Sequence, residues 1–277
     1  MTNVHRITDA LSLAIEAHDG QVRKSTNIPY ISHPLAVASL VLEYGGSEDQ
    51  VIAGLLHDAI EDGGSAYAPR IAATFGAEVL ALVEACSDGT AESKAEAKTP
   101  AAKKADWKRR KLDYLQRLET EDPAALLVTA CDKLHNARAI VADLERIGTA
   151  VFERFTAGRD GTLWYYTEAH AVLKRRQCPV SYSLGDVLVR MRYVSKKNDD
   201  LNGALAFAAT LDSKERAQFS AILGGLQTTA QALLSDGSRT LGFVSEHQQR
   251  LIAICQQIDA IEVDAELLPA RHQDRAK

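Results

Sequence analysis

The stretch Ala124–Leu144, AALLVTACDKLHNARAIVADL, constrains this chain more than any other. It reads as one helix running from Pro123 to Leu144, with apolar residues at helical spacing. Asp132 interrupts that otherwise apolar approach, and Asn136 shares its face one turn later. An aspartate in such a place is seldom buried unpaired. Whatever packs against this helix has to supply Asp132 with a partner.

The rest of the chain also reads as helix. The 277 residues include 43 Ala against 7 Pro and 17 Gly, a composition that favours helix over sheet. A first helix is expected from about Val4 to His18, ended by Gly20. A polar loop, Gln21 to Ser32, precedes a second helix that starts at Pro34 and leaves His33 at its cap. Ser47 to Gln50 reads as a capping box opening a third helix that continues to about Asp62. A helical pair spans about Arg70 to Cys86, punctuated at Gly76. Asp88 to Asp106 is an Ala/Lys/Glu mixture without apolar period and reads as a mobile surface loop, with helix resuming from Trp107 to about Leu118. A turn around Gly158 and Gly161 leads into a helix from Leu163 to Arg176. Pro179 and Ser181 to Gly185 mark a boundary. We therefore expect residues 1–178 to form one domain and 179–277 a helical C-terminal extension of unknown role. Two amphipathic patterns in that extension, around Phe219–Leu226 and Leu251–Ile261, could cover the first domain, form a homo-oligomer interface or bind a regulator.

Charge narrows the partners. The 32 Lys+Arg against 37 Asp+Glu leave −5, which argues against a nucleic-acid coater. Glu92 to Lys111 nevertheless holds eight basic and three acidic residues, so a small polyanion is not excluded. No apolar run reaches the roughly 18 residues of a membrane span, and Met1 to Asp9 lacks the apolar core of a signal peptide. Cys86, Cys131, Cys178 and Cys255 form no CxxC pair and read as reduced thiols of a cytoplasmic protein.

Two His-Asp dipeptides stand out. His18-Asp19 lies where the first helix frays into Gly20 and reads as an ordinary helix-end histidine beside a turn former. His57-Asp58 differs because of its helix. Val51, Ile52, Leu55, Leu56, Ala59 and Ile60 fill one half of the wheel, while His57, Asp58, Glu61 and Asp62 fall on the other. Three carboxylates packed that closely repel one another unless a cation or protons intervene; a solvated acidic face is the plain alternative. Joined by His33 and Asp132, the pair makes two imidazoles and two carboxylates, a set that suits Mn²⁺, Fe²⁺ or Zn²⁺ with positions left open.

The stretches GQVRKSTNIPYISHPLAVA, AGLLHDAIED and ACDKLHNAR resemble the HD-domain alarmone hydrolases of the RelA/SpoT class. The later FTAGRDGTLWYY resembles their small, hydrolase-only members. The resemblance implies an all-α HD-domain helical bundle holding one divalent metal, usually Mn²⁺, and removing the 3′-pyrophosphate of ppGpp or pppGpp. It implies His33, His57, Asp58 and Asp132 as metal ligands, and Glu61 and Asp62 as the acidic pair that activates water. Arg23, Lys24 and Ser25 match a nucleotide-contacting loop, and Asn136 a polar contact near the sugar. Lys111 snorkels from an apolar stripe and could reach a phosphate; of the aromatic triplet Trp164, Tyr165 and Tyr166, Tyr165 is the ring expected at the site. Ala139 stands where the long bifunctional enzymes commonly carry Thr, which leaves ppApp or NADPH open as substrates. A non-catalytic alarmone-binding regulator is the reading from another class, and intact Glu61 and Asp62 argue against it. No synthetase domain is identified after residue 176, so alarmone synthesis is not expected.

Overall fold

The structure, a computed structural model, describes residues 4–87 and 99–209 continuously. It is all-α, and among the described residues the only strand-like pairing is a single bridge between Val22 and Pro29. In chain order the helices are α1 (Val4–Ala17), α2 (Ser32–Glu43), α3 (Glu48–Leu56), α4 (Ala59–Gly63), α5 (Tyr67–Phe75), α6 (Ala77–Cys86), α7 (Pro100–Leu118), α8 (Pro123–Ile147), α9 (Gly158–Arg175) and α10 (Val180–Ala209), with a 3-10 turn at Gly148–Arg154. Residues Met1–Ser195 form one compact unit and Lys196–Lys277 another, of which the end of α10 is described. No helix among the described residues is long and apolar enough to cross a membrane.

α3 is the hub of the first unit. It packs against α1, α2, α6 and α8, and every residue from Val51 to Leu56 is buried. A helix apolar all round has to be enclosed on all sides. Its start is fixed by the expected capping box: Gln50 N–H donates to Ser47 Oγ at 3.3 Å, and Ser47 N–H to Gln50 Oε1 at 2.7 Å. Gly54 lets α2 approach. A Cβ there would lie 3.3 Å from the Cα of Ala38, closer than side-chain carbons normally sit to a neighbouring backbone. α8 runs alongside α2, α3 and α6 and buries Asp132 among Val128, Cys131 and Leu134.

Several boundaries differ from those read off the sequence. The third helix does not run through to Asp62 but breaks at His57–Asp58, so α4 is a separate short helix. The His57 ring takes the carbonyl oxygen of Gly54, which a continuing helix would offer to the N–H of Asp58. His33 is not at the cap of α2 but inside its first turn, and buried. α7 begins at Pro100 rather than Trp107, because Thr99 Oγ1 accepts from Ala102 N–H at 3.2 Å and a proline suits the first position. Residues 100–106 are thus helix, and the remainder of the expected loop, 88–98, lies outside the described residues. α9 begins at Gly158, and Ser181–Gly185 lies within α10, whose Leu184, Leu188 and Met191 join the core. The amphipathic patterns at 219–226 and 251–261 lie outside the described residues.

The α2–α3 contact yields a test. Gly54→Val should destabilise the protein by about 1–3 kcal/mol through overpacking against Ala38, read as a lower denaturant midpoint with an unchanged slope.

Candidate metal centre

Three elements bring the sequence-predicted ligands together: the first turn of α2 carries His33, the break between α3 and α4 carries His57 and Asp58, and the middle of α8 carries Asp132. His57 Nδ1–H donates to Gly54 O at 2.9 Å, which leaves the Nε2 lone pair facing inward. That Nε2 lies 3.2 Å from His33 Nε2 and 3.1 Å from Asp58 Oδ2. His33 Nε2 is 3.4 Å from Asp58 Oδ2 and 3.2 Å from Asp132 Oδ1, while His57 Nε2 is 3.8 Å from Asp132 Oδ1. His33, His57 and Asp58 form a group that could hold a metal ion, with Asp132 against both imidazoles. Donors bound to one cation at about 2.1 Å sit roughly 3.0–3.4 Å apart at tetrahedral or octahedral angles. The donor set and its spacing fit a divalent cation.

Electrostatics agrees with that fit. Burial disfavours charge on His57, Asp58 and Asp132, yet the neighbouring charges win. Burial would lower the His57 imidazole, but Asp58 and Asp132 push it up to about 9. Asp58 is held well below the usual carboxylate range, against its burial, by His57 and His33. Asp132 is likewise lowered, against burial, by the Lys133 ammonium and the two imidazoles. Carboxylates that draw positive charge onto a buried imidazole make a place where a metal ion can supply that charge.

A ring of supporting groups orients the cluster. Tyr30 Oη–H donates to Asp58 Oδ2 at 2.8 Å; burial and the charges of Asp58 and Asp62 raise the phenol's pKa and keep it a donor. Lys133 Nζ holds Asp132 Oδ2 at 2.6 Å, and Asn136 Nδ2 donates to Asp132 Oδ1 at 2.5 Å. His33 Nδ1 meets His135 Nδ1 at 2.7 Å, so one of the rings must donate. With His33 binding a metal through Nε2, His33 Nδ1 carries the proton and His135 accepts. Burial, then His33 and Arg23, push His135 down to about 4, which keeps it able to accept at neutral pH. Tyr30, Lys133 and His135 were not singled out from the sequence. The two α8 residues stand inside the ACDKLHNAR run, but Tyr30 reaches Asp58 only through the fold of its loop.

The remaining expected residues lie at graded distances from the cluster. Glu61 and Asp62 sit on α4, one turn past Asp58, with Asp62 N–H donating to Asp58 O at 2.8 Å. Arg23, Lys24 and Ser25 occupy the tip of a small hairpin closed by Tyr30 N–H to Gln21 O and Arg23 N–H to Ile28 O. Arg23 Nη2 donates to Asn136 Oδ1 at 2.8 Å, which joins the loop to the cluster. Lys24 Nζ lies over the Phe155 ring at 5.9 Å, and Ser25 adopts a left-handed φ of 58° at the turn. Lys111 Nζ is 4.7 Å from the Tyr165 ring centre and 5.8 Å from that of Tyr114, whose ring also faces Lys133. Tyr165 is itself buried among Trp107 and Tyr166, and its hydroxyl has no hydrogen-bond partner among the described residues.

A family model described as an HD domain matches residues 10–163. The chain is 36% identical over 136 residues to "Probable guanosine-3′,5′-bis(diphosphate) 3′-pyrophosphohydrolase" of Synechocystis, covering 49% of this chain and 17% of that one. It is 31% identical over 140 residues to "Bifunctional (p)ppGpp synthase/hydrolase SpoT" of Escherichia coli K12, covering 50% of this chain and 18% of that one. The chain thus spans less than one fifth of the length of these curated relatives. A solved structure titled "A metazoan ortholog of SpoT hydrolyzes ppGpp and plays a role in starvation responses" superposes with a TM-score of 0.51 at 21% identity. The match covers 67% of this chain and 94% of that one, and shows a shared fold.

Groups that only orient a metal ligand are typically worth about 10–100-fold in affinity. Tyr30→Phe is therefore expected to weaken divalent-metal binding about tenfold, and Asp132→Ala by more than about 100-fold, in calorimetric titration of metal-free protein.

Proposed function

This chain belongs to the HD-domain family, and from that membership and the geometry above we propose that it is a Mn²⁺-dependent hydrolase of the 3′-pyrophosphate of guanosine alarmones. The observation that carries the reading is the convergence of His33, His57, Asp58 and Asp132, joined through Asn136 to Arg23 on a basic loop. Water adds across the bond between the 3′-oxygen and its phosphorus, so ppGpp or pppGpp gives GDP or GTP plus pyrophosphate. His33, His57, Asp58 and Asp132 would hold a divalent metal, which would supply a lowered pKa for bound water and offset phosphoryl charge.

The chain's own residues do the rest. Glu61 and Asp62 orient the attacking water and take its proton. Arg23 offers a planar fork suited both to phosphate oxygens and to the face of a base. Lys24 adds mobile positive charge, and Asn136 a polar contact near the sugar. Lys111, whose ammonium faces the Tyr165 ring at 4.7 Å, is the α7 cation this reading assigns to a substrate phosphate, with Tyr165 as the ring beside it. The free thiols of Cys86, Cys131 and Cys178 are in keeping with a cytoplasmic enzyme.

The deciding experiment incubates metal-reconstituted protein with ppGpp, ppApp and NADPH and resolves the products. Pyrophosphate release from ppGpp is expected; none from either alarmone would overturn the reading. Glu61→Gln should keep its metal and lose turnover by about 10²–10⁴-fold, the range of a lost general base, whereas Asp132→Ala should lose both. Unchanged turnover in the Glu61 variant would remove that residue from the mechanism.

A further inference from the structure

His18-Asp19, the dipeptide that reads as a plain helix end, lies beside the centre. His18 follows α1 and is only 4% exposed. Its ring stacks on Tyr30 with centroids 4.7 Å apart and planes 34° apart. Its Nδ1 lies 2.9 Å from Gln21 Oε1. The amide oxygen can only accept, so Nδ1 carries the proton. The Gln21 amide nitrogen then donates to the backbone oxygen of Asp62 at 3.3 Å. His18 Nε2 is buried with no hydrogen-bond partner among the described residues, so the ring's one polar link is the one to Gln21.

Two arms therefore leave this ring. One runs through Tyr30 to Asp58 Oδ2, and the other through Gln21 to the backbone of Asp62. Both arms start at the base of the hairpin whose tip bears Arg23, Lys24 and Ser25, where Tyr30 N–H donates to Gln21 O at 2.9 Å. An imidazole kept only for packing would need neither the proton on Nδ1 nor the glutamine that receives it.

We propose that His18 is a positioning residue: through Gln21 it sets α4, and with it the Glu61–Asp62 pair, against the carboxylate that Tyr30 holds. The effect on turnover rests on the hydrolase reading above, whereas the effect on α4 does not. Placing a reacting group is where rate is most sensitive to small shifts, so the loss should fall on kcat rather than KM.

The test uses the full chain with His18→Phe, His18→Asn and Gln21→Leu. Phenylalanine keeps the stack on Tyr30 and removes the Nδ1 proton; asparagine gives up the ring and returns an N–H at that position. His18→Phe and Gln21→Leu should each lower kcat on ppGpp about tenfold with KM within about twofold. Both should also speed amide exchange across residues 58–63 about fivefold or more, with exchange in α1 and α2 unchanged. His18→Asn should recover both readouts to within about threefold of wild type. Equal impairment of the Phe and Asn variants, wild-type exchange at 58–63 in the Phe variant, or a change confined to KM would overturn the proposal. Should His18→Phe fail to fold, Gln21→Leu decides alone by the same two readouts. A wild-type protein that leaves ppGpp intact would sink the substrate reading, and exchange at 58–63 would still decide the role of His18.

Discussion

Two imidazole nitrogens and two carboxylate oxygens meet at 3.1 to 3.8 Å inside a bundle whose other inward residues are almost all apolar. Such a group is costly to bury, and removing one partner from a buried set costs more than the set itself contributes. The structure answers by engaging each member a second time. Gly54 O accepts from His57 Nδ1–H, Tyr30 holds Asp58, Lys133 and Asn136 hold Asp132, and His135 meets His33. α2, α3 and α8 could not be re-registered by a residue without breaking several of these bonds at once. The centre specifies the packing of the bundle as much as the bundle positions the centre.

Much of this was legible in the sequence because it obeys periodicity. The six apolar wheel positions of the third helix are all buried, and the capping box at Ser47 forms as read. The Asp132–Asn136 pair holds its i,i+4 contact on α8. What escaped was tertiary. The break at His57–Asp58 arises from a side chain competing for a backbone carbonyl, which no helical wheel represents. The early start of α7 arises from a cap, Thr99–Pro100, at the end of a stretch whose composition alone suggests loop. His18 read as a helix end because its partners, Gln21 and Tyr30, face it only after the hairpin closes.

The near-neutral charge of the chain also changes meaning. The basic run that ends at Lys111 is partly spent along its own helix, with Arg109 and Arg110 both paired to Asp106. Such pairs along a helix surface contribute little stability but do lower the field the run projects. Lys111 differs, since it rests between two tyrosine rings that lead to Lys133 and Asp132. Lys111, rather than Arg109 or Arg110, is thus the cation of this stretch that aromatic contacts connect to Lys133 and Asp132.

Arg23 and Lys24 stand next to each other in sequence but are held in different ways. The Arg23 guanidinium is fixed by Asn136, and Asn136 by Asp132, so its orientation follows that of a buried carboxylate. A guanidinium has five donors, and engaging one leaves the fork able to meet an anion without releasing its anchor. Lys24 is exposed on a flexible stem whose ammonium, among the described residues, meets an aromatic face at 5.9 Å and no carboxylate. It can follow a charge as that charge moves, but it cannot define where the charge sits. Under the proposed substrate reading, these adjacent cations would divide the work of recognition: Arg23 would fix the register relative to Asp132, and Lys24 would supply attraction that tolerates displacement.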